Sequence, residues 1–279
     1  MVPDLDDCER TPEYAALALR IREHCVRMTH RGKSGHLGSM LSMADILAVL
    51  YSGVLRVDPK NPGWPERDRF ILSKGHAGAA VYAVLAEKGF FPREWLDRYY
   101  LDDGLSGHIS HHVPGVEFST GSLGHGLPVA VGMALAAKHD AKNHRVFCLL
   151  SDGDCNEGST WEAIMFAAQH KFDNLTAIVD YNRVQALGKM EDVIEMEPFA
   201  KKLKDFGWAV REVDGHNFGE MERTFSEVPF EPGQPSWILA RTVKCKGIAR
   251  LEGTVGSHYG CLSDQQLAEA LAELGVEAE

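Results

Sequence analysis

Two hard oxygen donors, the Asp152 carboxylate and the Asn182 amide, stand thirty positions apart, each at the end of a short apolar run. Such a pair suits a magnesium ion that still holds phosphate oxygens and a water. The elements that must position them can be read on either side. Val146 to Leu150 is short and β-rich enough for a buried strand, and it breaks off at Ser151-Asp152-Gly153-Asp154. A helical spacing follows from near Glu157, carried by Trp161, Ile164, Met165, Ala168 and Phe172. A second apolar run, Leu175 to Val179, then delivers Asp180-Tyr181-Asn182. A strand–helix–strand unit of this kind brings Asp152 and Asn182 to one edge of a parallel sheet, the edge at which ligands bind. Gly153 permits close approach of the backbone to a diphosphate, and the helix after it turns free N–H groups toward an anion. An isolated Asp-Gly is more often an ordinary turn; the Asn on the next strand favours the ligand site.

Histidines supply the second group of candidates. His36 lies in the glycine-punctuated loop 34–39, and His76 follows the strand 70–72 at a junction with a helix from Ala77. His108, His111 and His112 invite a metal reading. Gly107 and Pro114 mark that segment as loop, however, and no Cys or carboxylate spacing completes a zinc set. His258 lies near the end of the segment 244–258. In that segment Lys244 and Lys246 read as a solvated pair with no catalytic role. Gly121 to Gly126 is spaced GxxGxG, not the GxGxxG of a dinucleotide-binding turn, and no acidic residue follows on a suitable strand.

The remaining elements form an alternating series. Thr11-Pro12 starts a helix with Leu17, Ile21, Cys25 and Met28 on one face, running to Gly32. Ser42 with Asp45 reads as a variant capping box for a second helix, and 91–100 as an amphipathic one. Helices follow at 127–138 and 198–206, strands at 208–213 and 237–243, and a turn at 214–217 leads into a helix between them. Ser263 with Gln266 caps a last helix. The expectation is an α/β fold, a doubly wound, mostly parallel sheet with helices on both faces, forming a single domain over 1–279.

Bulk properties narrow the class. A chain of 279 residues with 44% hydrophobic content can bury a sizeable core. A net charge of −11 without a basic stripe argues against nucleic acid. Six cysteines without C-x-x-C spacing fit a reducing cytoplasm, with Cys148 in the core and Cys155 in a loop beside the site. The acidic start MVPDLDDCER lacks the regions of a signal peptide, and no apolar run is long enough to span a bilayer. A soluble cytoplasmic protein is expected.

The DG pair with its downstream Asn resembles the thiamine diphosphate fingerprint, and NEGSTWEA with NLTAIVDYN resembles the transketolase form of it. SGHLG at 34–38, ERDRFILSKGHA at 66–77 and KCKG at 244–247 are similar to further transketolase segments. The departures are Ser151 for a glycine, Leu37 for a proline and His125 where relatives carry Gln. The resemblance implies thiamine diphosphate and magnesium as cofactors, with Asp152, the Asn182 side chain and the Val184 carbonyl as metal ligands. Gly153 would contact the diphosphate, Gly121 and Leu123 the aminopyrimidine, and Ala186 the thiazolium. His76 would meet phosphate and substrate, and His76 and His108 would hold the donor's hydroxyls. His36 and His258 would assist proton transfer, and Glu157 would serve cofactor activation or the interface.

The resemblance reaches only the first part of a transketolase, so the pyrimidine-binding and C-terminal domains are expected on a separate chain. It implies an α2β2 heterotetramer that moves a two-carbon ketol unit from a ketose or its phosphate to an aldose. The alternatives are the E1 α subunit of a 2-oxoacid dehydrogenase and a non-catalytic cofactor-binding regulatory partner.

Overall fold

The computed structural model describes residues 8–277, so the acidic start read for a missing leader lies outside the described residues apart from its last three positions. Five strands, β1 (Arg69–Leu72), β2 (Val146–Ser151), β3 (Leu175–Tyr181), β4 (Ala209–Asp214) and β5 (Ser236–Arg241), form one sheet in the order β1-β2-β3-β5-β4. Every neighbouring pair is parallel. β2 and β3 are buried along their whole length, which is why their sequences are mostly apolar runs rather than alternating.

Alternation reappears in which core each residue enters. Phe147 and Leu149 join one hydrophobic cluster, whereas Val146, Cys148 and Leu150 join the other. The first cluster is completed by α1 (Thr11–Arg31), α2 (Leu37–Ser42), α3 (Ala44–Val49), α4 (Gly78–Glu87) and α9 (Phe218–Ser226). The second is completed by α5 (Gly126–His139), α6 (Gly158–Gln169) and α8 (Phe199–Asp205). A short α7 (Met190–Val193) follows β3, and α10 (Asp264–Glu273) is the last helix, with the Ser263–Gln266 capping box read from the sequence. The doubly wound α/β expectation therefore holds. Among the described residues no helix is long and apolar enough to cross a membrane.

Local expectations fail where tertiary partners override them. Ser42 ends α2 instead of capping a helix, because its hydroxyl donates to the buried Asp180 carboxylate. Asp45 is committed to Arg22 and His216. The first helical turn after the 34–39 loop comes earlier than expected, at Leu37, since His36 takes a left-handed φ of 71° and launches α2 directly. Thr11 is the first residue of α1, not its cap. The amphipathic segment 91–100 winds only into 3-10 turns over Arg93–Arg98.

Candidate active site

The carboxyl ends of β1, β2 and β3 open into a cleft of about 550 Å³. Asp152 enters it from the turn after β2, where the 3-10 turn Gly153–Asn156 starts. Strand register sets Ser151 beside Asp180, so Asn182 emerges from β3 next to the Asp152 turn. Its Oδ1 accepts from the Val184 amide at 3.1 Å. Asp152 Oδ1 accepts from the Gly153 amide at 2.9 Å, whereas its Oδ2 is buried with no hydrogen-bond partner. Burial first, and then the neighbouring Asp180 charge, push the Asp152 carboxyl up to about 6. An orphaned oxygen on a carboxylate held at this cost is chemically suited to a hard cation.

The turn itself is pinned by Asp154. Its Oδ1 accepts from Ser73 Oγ at 2.7 Å and the Gly124 amide at 2.8 Å; its Oδ2 accepts from the amide and hydroxyl of Ser151. The serine at position 151 thus contributes a hydroxyl that ties β2's end to this carboxylate. A Cβ on Gly153 would lie 3.2 Å from Leu123 Cδ1, so the backbone there forms one narrow wall of the cleft.

Four imidazoles gather opposite. Ring centroids lie 5.0 Å apart for His36 and His76, 5.1 Å for His36 and His258, 5.4 Å for His76 and His258, and 6.1 Å for His36 and His108. Burial lowers His36, with His108 and Lys244 adding to it, and lowers His76 well below the ordinary imidazole range, helped by Lys74. His258 falls to about 3 through burial and the adjacent Lys244. These three are therefore neutral at physiological pH. Glu157, Gly121, Leu123, Val184 and Ala186 line the same cleft, with Glu157 exposed at the start of α6. Every residue given a site role by the family resemblance thus lies around one cavity. His111 and His112 turn elsewhere: their ring centroids lie 4.1 Å apart with the planes tilted by 39°, and His111 bonds Ser119 Oγ.

Two lysines add what the sequence did not disclose. Lys244, expected to be solvated, is 1% exposed, and its ammonium donates to the Val184 carbonyl at 2.8 Å and meets His258 Nδ1 at 3.0 Å. Burial brings Lys244 down to about 8. Lys246, by contrast, lies partly in solvent, near Glu252. Lys74, fully buried, pairs with the Asp180 carboxylate and donates to the Ser39 carbonyl at 2.8 Å. Burial opposes ionisation of Asp180, but Lys74, Ser42 and Thr242 together hold its carboxyl below the usual range. Both lysines follow apolar strands at their carboxyl ends, the signal that singled out Asp152. Cys155, in the turn beside the site, is buried, and that burial pushes its thiol well up.

Such a cleft, at the strand ends of a parallel sheet, with three neutral imidazoles and a buried carboxylate among its lining residues, defines a class that comparison with known proteins makes specific. Residues 14–279 match the family described as transketolase, thiamine diphosphate binding domain. The chain is 42% identical to the 6-deoxy-6-sulfo-D-fructose transketolase subunit of a Clostridium species, over 87% of this chain and 89% of that protein. It is 40% identical to an apulose-4-phosphate transketolase subunit of Phocaeicola vulgatus, over 92% of each. Among solved structures, transketolase of Campylobacter jejuni superposes with a TM-score of 0.89 at 33% identity, over 95% of this chain. The chain spans only 43% of that longer enzyme. It belongs to the transketolase family, through the N-terminal thiamine diphosphate-binding domain. Within that family it is of the subunit kind, matching relatives named as subunits over nearly their whole length.

Proposed function

We propose that this chain is the diphosphate-holding subunit of a two-chain transketolase. With thiamine diphosphate and magnesium, and in an α2β2 assembly with a pyrimidine-binding partner, it would transfer a two-carbon ketol unit from a ketose to an aldose acceptor. The observation that carries the reading is the unpartnered, buried Asp152 Oδ2 in one cleft with three imidazoles, His36, His76 and His258, kept neutral by burial and by two lysines. Asp152, Asn182 Oδ1 and the Val184 carbonyl would hold the magnesium ion. Gly153 and the start of α6 would face the diphosphate, and Lys244 would add a buried cation beside it. Gly121 and Leu123 would support the aminopyrimidine and Ala186 the thiazolium. When bound, thiamine diphosphate supplies the carbanion chemistry by which a C–C bond next to a carbonyl is broken and remade.

The chain's own residues would orient the sugar and manage protons. Lys244 donates to His258 Nδ1, which places the imidazole proton on Nε2. His258 would therefore present an N–H donor to a substrate oxygen, and His36 beside it would exchange protons with the same end of the sugar. His76 and His108 would hold the donor's hydroxyls. Glu157, exposed at the mouth, would serve the interface through which the cofactor is activated. Among the described residues lining the cleft there is no arginine. Recognition of an anionic tail on the sugar, such as the sulfo or phosphate groups in the names of the two relatives, would then fall to the partner. The free cysteines support a reducing cytoplasm as the working compartment.

Two measurements test this. Purified from its own host, the chain should bring a second, pyrimidine-binding chain in equal amount. That complex should convert ketose and aldose pairs and leave pyruvate untouched; release of carbon dioxide from pyruvate would instead mark a 2-oxoacid dehydrogenase component. His108→Ala should raise KM for the donor at least tenfold and leave affinity for thiamine diphosphate near wild type. Tyr82 holds the His108 backbone carbonyl at 2.8 Å, so the loop survives the truncation. Equal loss of donor use and cofactor affinity would count against the assigned role.

A further inference from the structure

The turn Asp214-Gly215-His216-Asn217, between β4 and α9, stands outside the cleft and yet is wired to it. His216 Nδ1 meets Asp45 Oδ2 at 2.6 Å, and its Nε2 accepts from the Val243 amide at 2.8 Å. Those two contacts define the ring's state: Nε2 carries the lone pair, so the proton is on Nδ1 and is donated to Asp45. Asp45 is in turn gripped from α1, where Arg22 Nη1 and Nη2 reach its two oxygens at 2.8 and 2.6 Å. Arg22 does more than neutralise Asp45, because its Nε donates to the Lys246 carbonyl at 3.1 Å.

The Arg22–Asp45–His216 unit therefore bonds the backbone at residue 243 and at residue 246, on the two sides of Lys244-Cys245. This segment needs outside support. It has left β5, Cys245 takes a left-handed φ of 61°, and the Cys245 amide relies on the Gly38 carbonyl at 3.0 Å. The turn is itself fixed against the strand end. The Gly215 amide donates to the Arg241 carbonyl at 2.8 Å, the His216 amide donates to Asp214 Oδ1 at 2.8 Å, and a Cβ on Gly215 would come within 2.6 Å of Thr242 Cγ2. Arg22 and Asp45 are both buried, and a buried ion pair is seldom retained for stability alone.

We infer that His216 is a positioning residue: backed by Asp45 and Arg22, it supplies the acceptor that sets the Val243–Lys246 backbone, and so sets the Lys244 ammonium between Val184 and His258. The inference rests on the role proposed for Lys244 and concerns residues that touch neither sugar nor cofactor. A side chain as long as Lys244 can be aimed at two buried acceptors only if its Cα is fixed, and Val243 N–H to His216 is the bond nearest to it on the strand side.

Two substitutions separate the acceptor from the bulk of the ring. His216→Asn leaves an amide near Nδ1, able to donate to Asp45 but too short for Val243. His216→Gln extends to the position of Nε2 and offers its Oε1 to the Val243 amide. Both are to be made in the full chain co-purified with its partner. Amide exchange of the 242–247 peptide is then measured without cofactor, and affinity for thiamine diphosphate is measured with magnesium. The expected result is faster exchange of 242–247 and about tenfold weaker cofactor binding in His216→Asn, the scale of one lost buried hydrogen bond, with both restored toward wild type in His216→Gln. If Gln is as impaired as Asn, or if neither differs from wild type, the positioning role is overturned. If the wild-type complex binds no thiamine diphosphate while the exchange contrast between Asn and Gln persists, the cofactor reading fails and the positioning of the segment stands.

Discussion

Asp152→Asn is expected to make the metal-free chain more stable at neutral pH while abolishing cofactor-dependent turnover. The first half follows from the position of the carboxyl, about 6 in the folded chain against an ordinary value near 3.8. A carboxyl raised on folding is a burden wherever the folded state would have to ionise it. Well below pH 4 it is protonated in both states and costs nothing. As pH rises from about 4 to about 6 the unfolded chain releases the proton and the folded chain retains it, so stability falls, and above about 6 the full penalty applies. Two pKa units correspond to about 3 kcal/mol, to be taken as an upper figure. Asn preserves the acceptor for Gly153 N–H and removes the charge.

Denaturant unfolding of metal-free wild type and Asp152→Asn should therefore diverge above pH 6 in favour of the variant and converge near pH 4. Magnesium with thiamine diphosphate should then stabilise wild type by mass action and leave the variant where it was. A variant less stable than wild type at pH 7.5 would refute the buried-charge argument, and one still stabilised by the cofactor would refute the ligand assignment.

The same residue shows what a sequence can disclose. Asp152 and Asn182 were legible because strand ends, a glycine and hard oxygen donors coincide, and parallel register then leaves little choice about where they meet. The four cleft histidines were legible by resemblance, each lying at the mouth of a strand or in a glycine-marked loop. The charges that tune them were not. Lys244 looks like a loop lysine, yet its stem is buried against Gly38 and its ammonium reaches the Val184 carbonyl. Lys74 and Asp180, 106 positions apart, form a pair that no local pattern announces. Ser42 and Asp45 show the converse failure. Each has the residue type of a helix cap, and each is claimed by a distant partner whose buried charge is costlier to leave unmet than a helix end.

Lys244→Met should have the second large effect, and for reasons that separate charge from packing. Met keeps much of the volume and length of the stem, so the buried wall remains filled. What goes is the ammonium that donates to Val184 and to His258 Nδ1. His258 is held at about 3 by burial and then by Lys244; without that charge its titration should move up toward the ordinary imidazole range. With no donor at Nδ1, its tautomer is no longer fixed, and the Nε2–H that it would offer to the sugar is present only part of the time. If Lys244 is the cation proposed beside the diphosphate, its loss should weaken thiamine diphosphate by about 10- to 100-fold, the scale of a hydrogen bond to a charged group. Turnover at saturating cofactor should fall further, because the tautomer defect acts after binding. NMR titration of the labelled His258 ring in the metal-free chain tests the electrostatic half without any assay. An unchanged His258 titration together with wild-type cofactor affinity would show that the buried ammonium belongs to the fold and has no part in the site.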